Sequence, residues 1–171
     1  MTASAAPVVR RTLATDAARL RALRLEMLAD TPLAFLETLD EAAARPHAEF
    51  CRTVALRAVG NESAQFVAEA AGRFVGHAAG FVARDDPAAT VVVAVYVTPA
   101  YRGTGLLGQL VNAVDAWSTA AGRNRLVLEV VVGNDRAVRA YQRIGFVDTG
   151  HRTAHPRIPV LTELTMTRPA R

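Results

Sequence analysis

The sequence predicts a single α/β domain, and three observations support this prediction. Segments with strand spacing alternate with segments with helix spacing, in the order β-α-α-β-β-β-α-β-α-β-β. Turn residues separate these segments, and no repeat or low-complexity linker interrupts them. A chain of 171 residues is the size of one domain and can bury a core without disulfides or metal ions. We therefore expect one domain over residues 1–171.

Local sequence features mark the predicted elements in order. Thr15 or Asp16 is predicted to be the N-cap of the first helix, because both are residue types that often cap helices. The helix is predicted to begin again at Pro32. Gly72 turns a hairpin, and Gly122 ends the third helix. The predicted elements are a strand at 8–13, a helix from residue 16, a helix at 46–59, strands at 66–70, 73–78 and 91–97, a helix at 106–121, a strand at 126–132, a helix at 134–144, and two closing strands, the last including 162–166.

A glycine-rich turn joins the fourth predicted strand to the next helix. The strand is nearly all β-branched and stops at Pro99, and apolar residues at helical spacing begin at Leu106. Glycine lets a backbone approach a ligand closely, and the first N–H groups of a helix are unpaired and lie at the positive end of its dipole. The turn, with Gly103, Gly105 and Gly108, therefore predicts a phosphate-binding site.

Two well-known phosphate loops fit this turn poorly. A P-loop needs a lysine, and the chain contains none. The three glycines match the dinucleotide pattern G-x-G-x-x-G, which would make the protein a nucleotide-binding oxidoreductase. That fold needs an acidic residue at the end of a following strand, about 20 residues on. Glu129 lies inside the strand at 126–132 rather than at its end, and the predicted hairpins also argue against this reading.

Two motifs resemble those of the GNAT superfamily of acyl-CoA-dependent N-acetyltransferases. The segment from Arg102 to Leu107 resembles [RQ]-x-x-G-x-[GA], with Leu107 at the position where Gly or Ala is usual and Gly108 one residue later. Residues 134–146 resemble N-x-x-A-x-x-x-Y-x-x-x-G-F. The motifs occur in the family's order and spacing, and the resemblance covers residues 8–168, which we expect to be the core of the domain.

The resemblance implies both a fold and an activity. The fold is a mixed, mostly antiparallel twisted sheet that splays apart between strands 4 and 5, with helices on both faces. The activity is transfer of an acetyl group from acetyl-CoA to a primary amine, by direct attack in a ternary complex. The alternative is a non-catalytic module that senses acyl-CoA. The presence of Tyr141 favours the enzyme.

The resemblance also assigns roles to individual residues. Tyr141 would protonate the departing thiolate, and Asn134 would contact the cofactor from the same side of its helix. The pantetheine would pair with the backbone of the fourth strand at Val95, Tyr96 and Val97. The pyrophosphate would lie on the backbone of the turn, whose residues are Arg102, Gly103, Thr104, Gly105, Leu106, Leu107 and Gly108.

The general base and the acceptor stay open in the sequence. Glu69, Glu129 and His77 are candidates for the base, and a water-mediated route is the default because the fourth strand offers no carboxylate. The acceptor, a small-molecule or peptide amine, depends on residues 24–35 and on a predicted loop after Phe146. This loop would carry His151, His155 and Pro156. The preferred length of the acyl chain is open as well.

Composition limits the remaining function classes. Cys51 is the only cysteine, so we expect neither a disulfide nor a metal site. The net charge of +4 comes from scattered arginines, and we expect no nucleic-acid partner. The apolar run at 88–97 is too short to cross a membrane, and residues 1–7, a predicted frayed end, lack the pattern of a secretory signal. We therefore expect a cytoplasmic protein, and a homodimer formed through exposed sheet edges.

Overall fold

The computed structural model describes residues 6–171, whose strands form one seven-stranded sheet. Residues 1–5 lie outside it, and with them most of the predicted frayed end. The strands are β1 Val8–Arg11, β2 Ser63–Ala70, β3 Arg73–Ala83, β4 Asp86–Val97, β5 Arg125–Val131, β6 Val147–Ala154 and β7 Thr162–Pro169. The helices are α1 Ala17–Asp30, α2 Leu39–Ala44, α3 His47–Ala58, α4 Leu106–Ala120 and α5 Asp135–Arg143.

The sheet is mixed and mostly antiparallel, as predicted. Its strand order is β1-β2-β3-β4-β5-β7-β6, and the pair β4–β5 is parallel while every other neighbouring pair is antiparallel. The last strand, β7, lies between β5 and β6. The last strand is therefore an inner strand of the sheet, and β6 is an edge strand.

The predicted splay between strands 4 and 5 is present. The two strands pair only from Ala89 to Val91 on β4 and from Arg125 to Val127 on β5. On its other side β4 stays paired with β3 as far as Val97. One edge of β4 is therefore without a strand partner from Val92 onward.

Helices cover both faces of the sheet, which confirms the prediction. Successive strand residues point to opposite faces. Phe66 and Ala68 of β2 pack in the larger core with α4 and α5, whereas Val67 between them packs in a second core with α1 and α3. The two cores share the sheet as their common wall.

Two glycines bring α4 close to β3. A Cβ atom on Gly76 would lie 2.8 Å from Leu110 Cδ1, and one on Gly80 would lie 2.7 Å from Val114 Cγ1. Both distances are shorter than real carbon contacts allow, so larger residues would push the helix away. The close approach fixes α4 across β2, β3 and β4, and with it the N-terminus of α4 near the end of β4.

Some local predictions were wrong in detail. Pro32 starts a short 3-10 turn, Pro32–Ala34, and the next α-helix begins only at Leu39. His151 lies within β6 rather than in a loop. Asp16 occupies the N-cap position of α1, but its carboxylate makes no capping hydrogen bond to that helix. None of the helices within residues 6–171 is long and apolar enough to cross a membrane.

The Asp16 carboxylate instead ties the N-terminal strand to α1. It is buried, and it accepts hydrogen bonds from Arg10 at 2.7 Å, from Arg19 at 2.7 Å and from the Leu13 amide at 2.8 Å. Glu69 of β2 pairs with the same two arginines. Hydrogen bonds from Arg10 are the main reason that the pKa of Asp16 falls from 3.8 to about 2.

We expect Asp16→Asn to lower the free energy of unfolding by about 2 kcal/mol at pH 7, because it removes a buried carboxylate that accepts charged hydrogen bonds from Arg10 and Arg19. A lowered carboxyl pKa stabilises the fold above the unfolded-state pKa, and this contribution is lost as the pH falls toward 2. The difference between wild type and variant should therefore shrink between pH 5 and pH 2 in urea titrations.

A matched control is Asp148→Asn, which removes a carboxylate paired with Arg152 on the exposed edge strand. Exposed ion pairs contribute little, so its unfolding free energy should stay near that of wild type. Equal losses in the two variants would contradict the role of burial at Asp16.

Candidate active site

The gap between β4 and β5 opens into a cavity of about 540 Å³. It is lined by the open edge of β4, the glycine turn, the 3-10 turn, β5, β7 and α5. The wall therefore includes elements from both faces of the sheet, with α5 on one face and Phe35, which follows the 3-10 turn, on the other. The cavity passes through the sheet where its strands separate.

The glycine turn has the conformation that a phosphate site requires. Gly103 and Gly105 have φ angles of +78° and +84°, a left-handed conformation that other residues adopt at a cost. Apart from the glycine itself and its two neighbours in the chain, no described atom lies within 4 Å of the position of a Cβ on either glycine, so the space beside the backbone is open. Gly105 is the N-cap of α4, and no described side chain caps this helix end. The first amides of α4 are therefore free to bind an anion.

Gly108 and Leu107 have separate roles in the same turn. A Cβ on Gly108 would lie 3.4 Å from Ile144 Cγ2, so this glycine sets the contact between α4 and the end of α5. Leu107 lines the cavity and packs against the larger core. Leucine at this position therefore contributes a cavity wall and leaves the turn backbone open.

The open edge of β4 carries a bulge. His77 pairs with Tyr96 and Ala79 pairs with Val93, so two residues of β4, Ala94 and Val95, oppose one residue of β3. Ala94 has a φ of +51°, and its carbonyl is 2.7 Å from His77 Nδ1. Such bulges change the direction of a strand and occur often beside active sites. This bulge lies within the cavity wall.

Tyr141 lies on α5 and lines the cavity. Its ring packs edge-on against Phe146, with centroids 5.7 Å apart. Within residues 6–171 its hydroxyl has no hydrogen-bond partner, and desolvation by burial raises its pKa well above 10. The phenol is therefore protonated at neutral pH and free to donate its proton to a group in the cavity.

Asn134 and Arg102 support the cavity from opposite sides. Asn134 caps α5, because its side-chain oxygen accepts a hydrogen bond from the Ala137 amide at 3.2 Å. Arg102 donates to the Val97 carbonyl at 2.9 Å and pairs with Asp30 of α1. The guanidinium therefore joins the end of β4 to α1, which packs on the face of the sheet opposite to α5.

Most of the predicted site residues meet in this one cavity. Thr104 and Leu106 do not line it: Thr104 donates to the Tyr101 carbonyl at 2.7 Å, and Leu106 is buried in the core. The predicted residues that line the cavity are Val95, Tyr96, Val97, Arg102, Gly103, Gly105, Leu107, Gly108, Asn134 and Tyr141.

The three candidate bases lie in different surroundings. Glu69 is paired with Arg10 and Arg19 and does not line the cavity. His77 is buried beneath the bulge, where desolvation lowers its pKa to about 4. Glu129 lines the cavity from β5. Of the three, Glu129 is the one that lines the cavity.

Sequence reasoning missed a second carboxylate in the cavity wall. Glu163 of β7 is buried and lines the cavity, and its nearest described polar partner is His155 Nε2 at 3.9 Å. Burial raises the pKa of Glu163, the charge of Glu129 raises it further, and His155 opposes the shift. The only sequence signal was a charged residue in an otherwise uncharged closing strand segment. No group of three or more His, Cys, Asp or Glu in the described part of the chain is placed to hold a metal ion.

Comparison with known proteins agrees with this geometry. The sequence profile of the acetyltransferase (GNAT) family matches residues 20–146. A mycothiol acetyltransferase of Corynebacterium aurimucosum is 41% identical over 64 residues, which are 37% of this chain and 21% of that protein. An uncharacterized N-acetyltransferase of Mycobacterium bovis is 37% identical over 82 residues, or 48% of this chain and 51% of that protein. These alignments span about half or less of the curated relatives.

Solved structures share the fold over nearly the whole chain. A GNAT-family acetyltransferase from Streptococcus pneumoniae superposes with a TM-score of 0.79 at 20% identity, covering 96% of this chain and 99% of that one. A putative acetyltransferase from Salmonella typhimurium, solved with its cofactor acetyl-CoA, gives a TM-score of 0.76 at 17% identity, covering 96% and 94%. At these identities the likeness establishes the fold.

Proposed function

The chain belongs to the acetyltransferase (GNAT) family, and from this premise we propose that it transfers an acetyl group from acetyl-CoA to a primary amine. The observation that carries the proposal is the cavity at the splay, where an open strand edge, an uncapped helix N-terminus and an unpaired phenol meet. Bound acetyl-CoA would supply the activated acetyl group. The residues around the cavity would bind it, orient it and move the protons.

The chain fits the two parts of this donor. The backbone from Val92 to Val97 has no strand partner on the β5 side, so its amides and carbonyls are available to the pantetheine amides. The open space beside Gly103 and Gly105 would accommodate the pyrophosphate against the first amides of α4. Arg136 and Arg143 of α5 add positive charge to the cavity wall.

Tyr141 is the proposed proton donor to the CoA thiolate. The amine nitrogen forms a bond to the acetyl carbon, the carbon–sulfur bond breaks, and the phenol proton neutralises the sulfur. Its raised pKa weakens the phenol as an acid, but the same burial disfavours the charged thiolate, so the two groups stay matched. Amides on the open edge of β4 would polarise the carbonyl oxygen.

Glu129 is the proposed acceptor of the amine proton, through a water where the distance requires one. It lines the cavity, whereas Glu69 and His77 do not. His77 is also a poor base at neutral pH, because its pKa is lowered to about 4. The amine proton would leave to Glu129 as the nitrogen attacks. Exchange with solvent would then remove this proton from Glu129 and return one to Tyr141, so that both groups are restored.

The direct test is an assay of thiol release from acetyl-CoA with a panel of amines that includes polyamines, aminoglycosides, amino acids and peptide N-termini. Acetylation of at least one amine, seen as a mass increase of the acceptor, is the expected result. Tight CoA binding without turnover on any amine would favour the acyl-CoA sensor instead.

Replacing Gly105 with alanine should weaken CoA binding about 10-fold or more in calorimetry. The φ of +84° costs a residue with a side chain about 1–2 kcal/mol, and relief of this strain would turn the α4 amides away from the phosphate. Gly72→Ala is the matched control, since Gly72 has a φ of +75°, an equally open surrounding and a position in the β2–β3 hairpin. Equal CoA affinity in the two variants would refute the phosphate site.

Replacing Tyr141 with phenylalanine should lower kcat about 100-fold, because the hydroxyl is lost while the ring keeps its packing on Phe146. The affinity for CoA, measured by calorimetry on the same variant, should change little. Near-native turnover on an identified amine would make Tyr141 a packing residue and leave solvent as the proton source.

We also propose that the protein forms a homodimer through the edge strand β6. This strand pairs with β7 on one side only, and Val147 at its start is 60% exposed. A free strand edge readily pairs with another. Light scattering should give a mass of twice 18.3 kDa at tens of micromolar protein, and a mass of 18.3 kDa would overturn the proposal.

A further inference from the structure

Two carboxylates face the cavity from neighbouring strands. Glu129 of β5 is opposite Thr165 of β7, and Val131 is opposite Glu163. Glu129 and Glu163 are thus diagonal neighbours on one face, a relation that separates residues by about 7–8 Å. Both side chains lie in the cavity wall, on the face away from the arginines of α5.

Glu163 is buried without a cation. It is 8% exposed, and within the described chain no group lies within hydrogen-bond distance of its carboxylate. No arginine contributes to the shift of its pKa, whereas the charge of Glu129 raises that pKa. Burial of an unpaired carboxylate is costly, so the site favours a positively charged ligand.

His155 is the described side chain that forms the nearest ion-pair contact of Glu163. The imidazole is 3% exposed, and its Nδ1 accepts hydrogen bonds from the Arg157 amide at 3.2 Å and the Ile158 amide at 3.1 Å. An Nδ1 that accepts two amides carries no proton, so these contacts assign the proton of the neutral ring to Nε2. Nε2, the ring nitrogen that carries the proton, lies 3.9 Å from Glu163 Oε1.

The chemistry of the proposed reaction decides which cation suits Glu163. An ammonium group must lose a proton, and with it its positive charge, before its nitrogen can attack a thioester. The attacking nitrogen therefore cannot neutralise a buried carboxylate during the reaction. A second ammonium group on the same molecule keeps its charge throughout. The distance between Glu129 and Glu163 allows a short alkyl chain to place one nitrogen near each carboxylate.

We propose that Glu163 binds the distal ammonium of a short aliphatic diamine, with His155 as its positioning residue. This inference rests on the proposed function, because the other nitrogen of the diamine is the acetyl acceptor beside Glu129. The matched probes are putrescine and butylamine, which share a four-carbon chain and differ in the second amino group.

The first experiment compares kcat/KM for the two probes by thiol release. Wild type should prefer putrescine over butylamine by about 10-fold or more, as expected for one hydrogen bond to a charged group. Glu163→Gln should lower this preference by about the same factor. His155→Asn keeps an acceptor for the two loop amides, but its shorter side chain places no N–H at the position of Nε2, so it should raise KM for putrescine and leave kcat close to wild type.

Glu62→Gln is the matched control, since it removes an exposed carboxylate that does not line the cavity, and the preference should be that of wild type. Equal kcat/KM for both probes, or an unchanged preference in Glu163→Gln, would overturn the diamine site. If no amine releases thiol, calorimetry with putrescine on the CoA-bound protein tests the diamine site separately from the activity. Putrescine binding that Glu163→Gln weakens would keep the site and refute the acetyltransferase activity, and absence of binding would refute the site.

Discussion

The rest of the site depends on a strand in the middle of the sheet whose backbone is unpaired on one side. β4 leaves β5 after three paired residues, yet it continues to Val97 beside β3. Backbone amides and carbonyls buried without partners are costly, so this edge requires either water or a ligand with strand-like hydrogen-bonding groups. The separation of β4 from β5 creates both this open edge and the cavity. The proposed functional groups line this cavity.

Several packing features hold β4 in this position. Gly76 and Gly80 let α4 lie close on β3, and that contact places the helix N-terminus at the end of β4. The bulge at Ala94 is anchored from below by His77, whose imidazole is too buried to carry a charge at neutral pH. Arg102 closes the end of the strand through the Val97 carbonyl. His77 and Arg102 therefore act as structural supports of the open edge of β4.

The position of Tyr141 followed from the resemblance of residues 134–146 to the family motif. The sequence was sufficient for the glycine turn and for the order of the described elements apart from α2, because those follow from local spacing. It was insufficient where a side chain had several possible partners. Asp16 looked like a helix cap, but two nearby arginines compete for its carboxylate, and one of them comes from β1. Glu129 and Glu69 were both predicted to be strand carboxylates, and the sequence did not distinguish them. The structure distinguishes them because the gap between β4 and β5 lies beside Glu129 and not beside Glu69. Glu163 was visible only as a charged residue in a closing strand segment, and its place in the cavity could not be predicted because it depends on β7 lying between β5 and β6.

The two faces of the splay differ in charge, and this difference bears on how two substrates share one cavity. Arg136 and Arg143 belong to α5 on one face, where the free amides of α4 also lie. Glu129 and Glu163 alternate with Leu128 and Leu164, which pack toward α5, so the carboxylates line the opposite face. An anionic donor and the cationic acceptor proposed above would therefore be attracted to different faces. They would meet in the gap between β4 and β5, where the strand backbone is open to both, and the charge arrangement would disfavour either substrate in the place of the other.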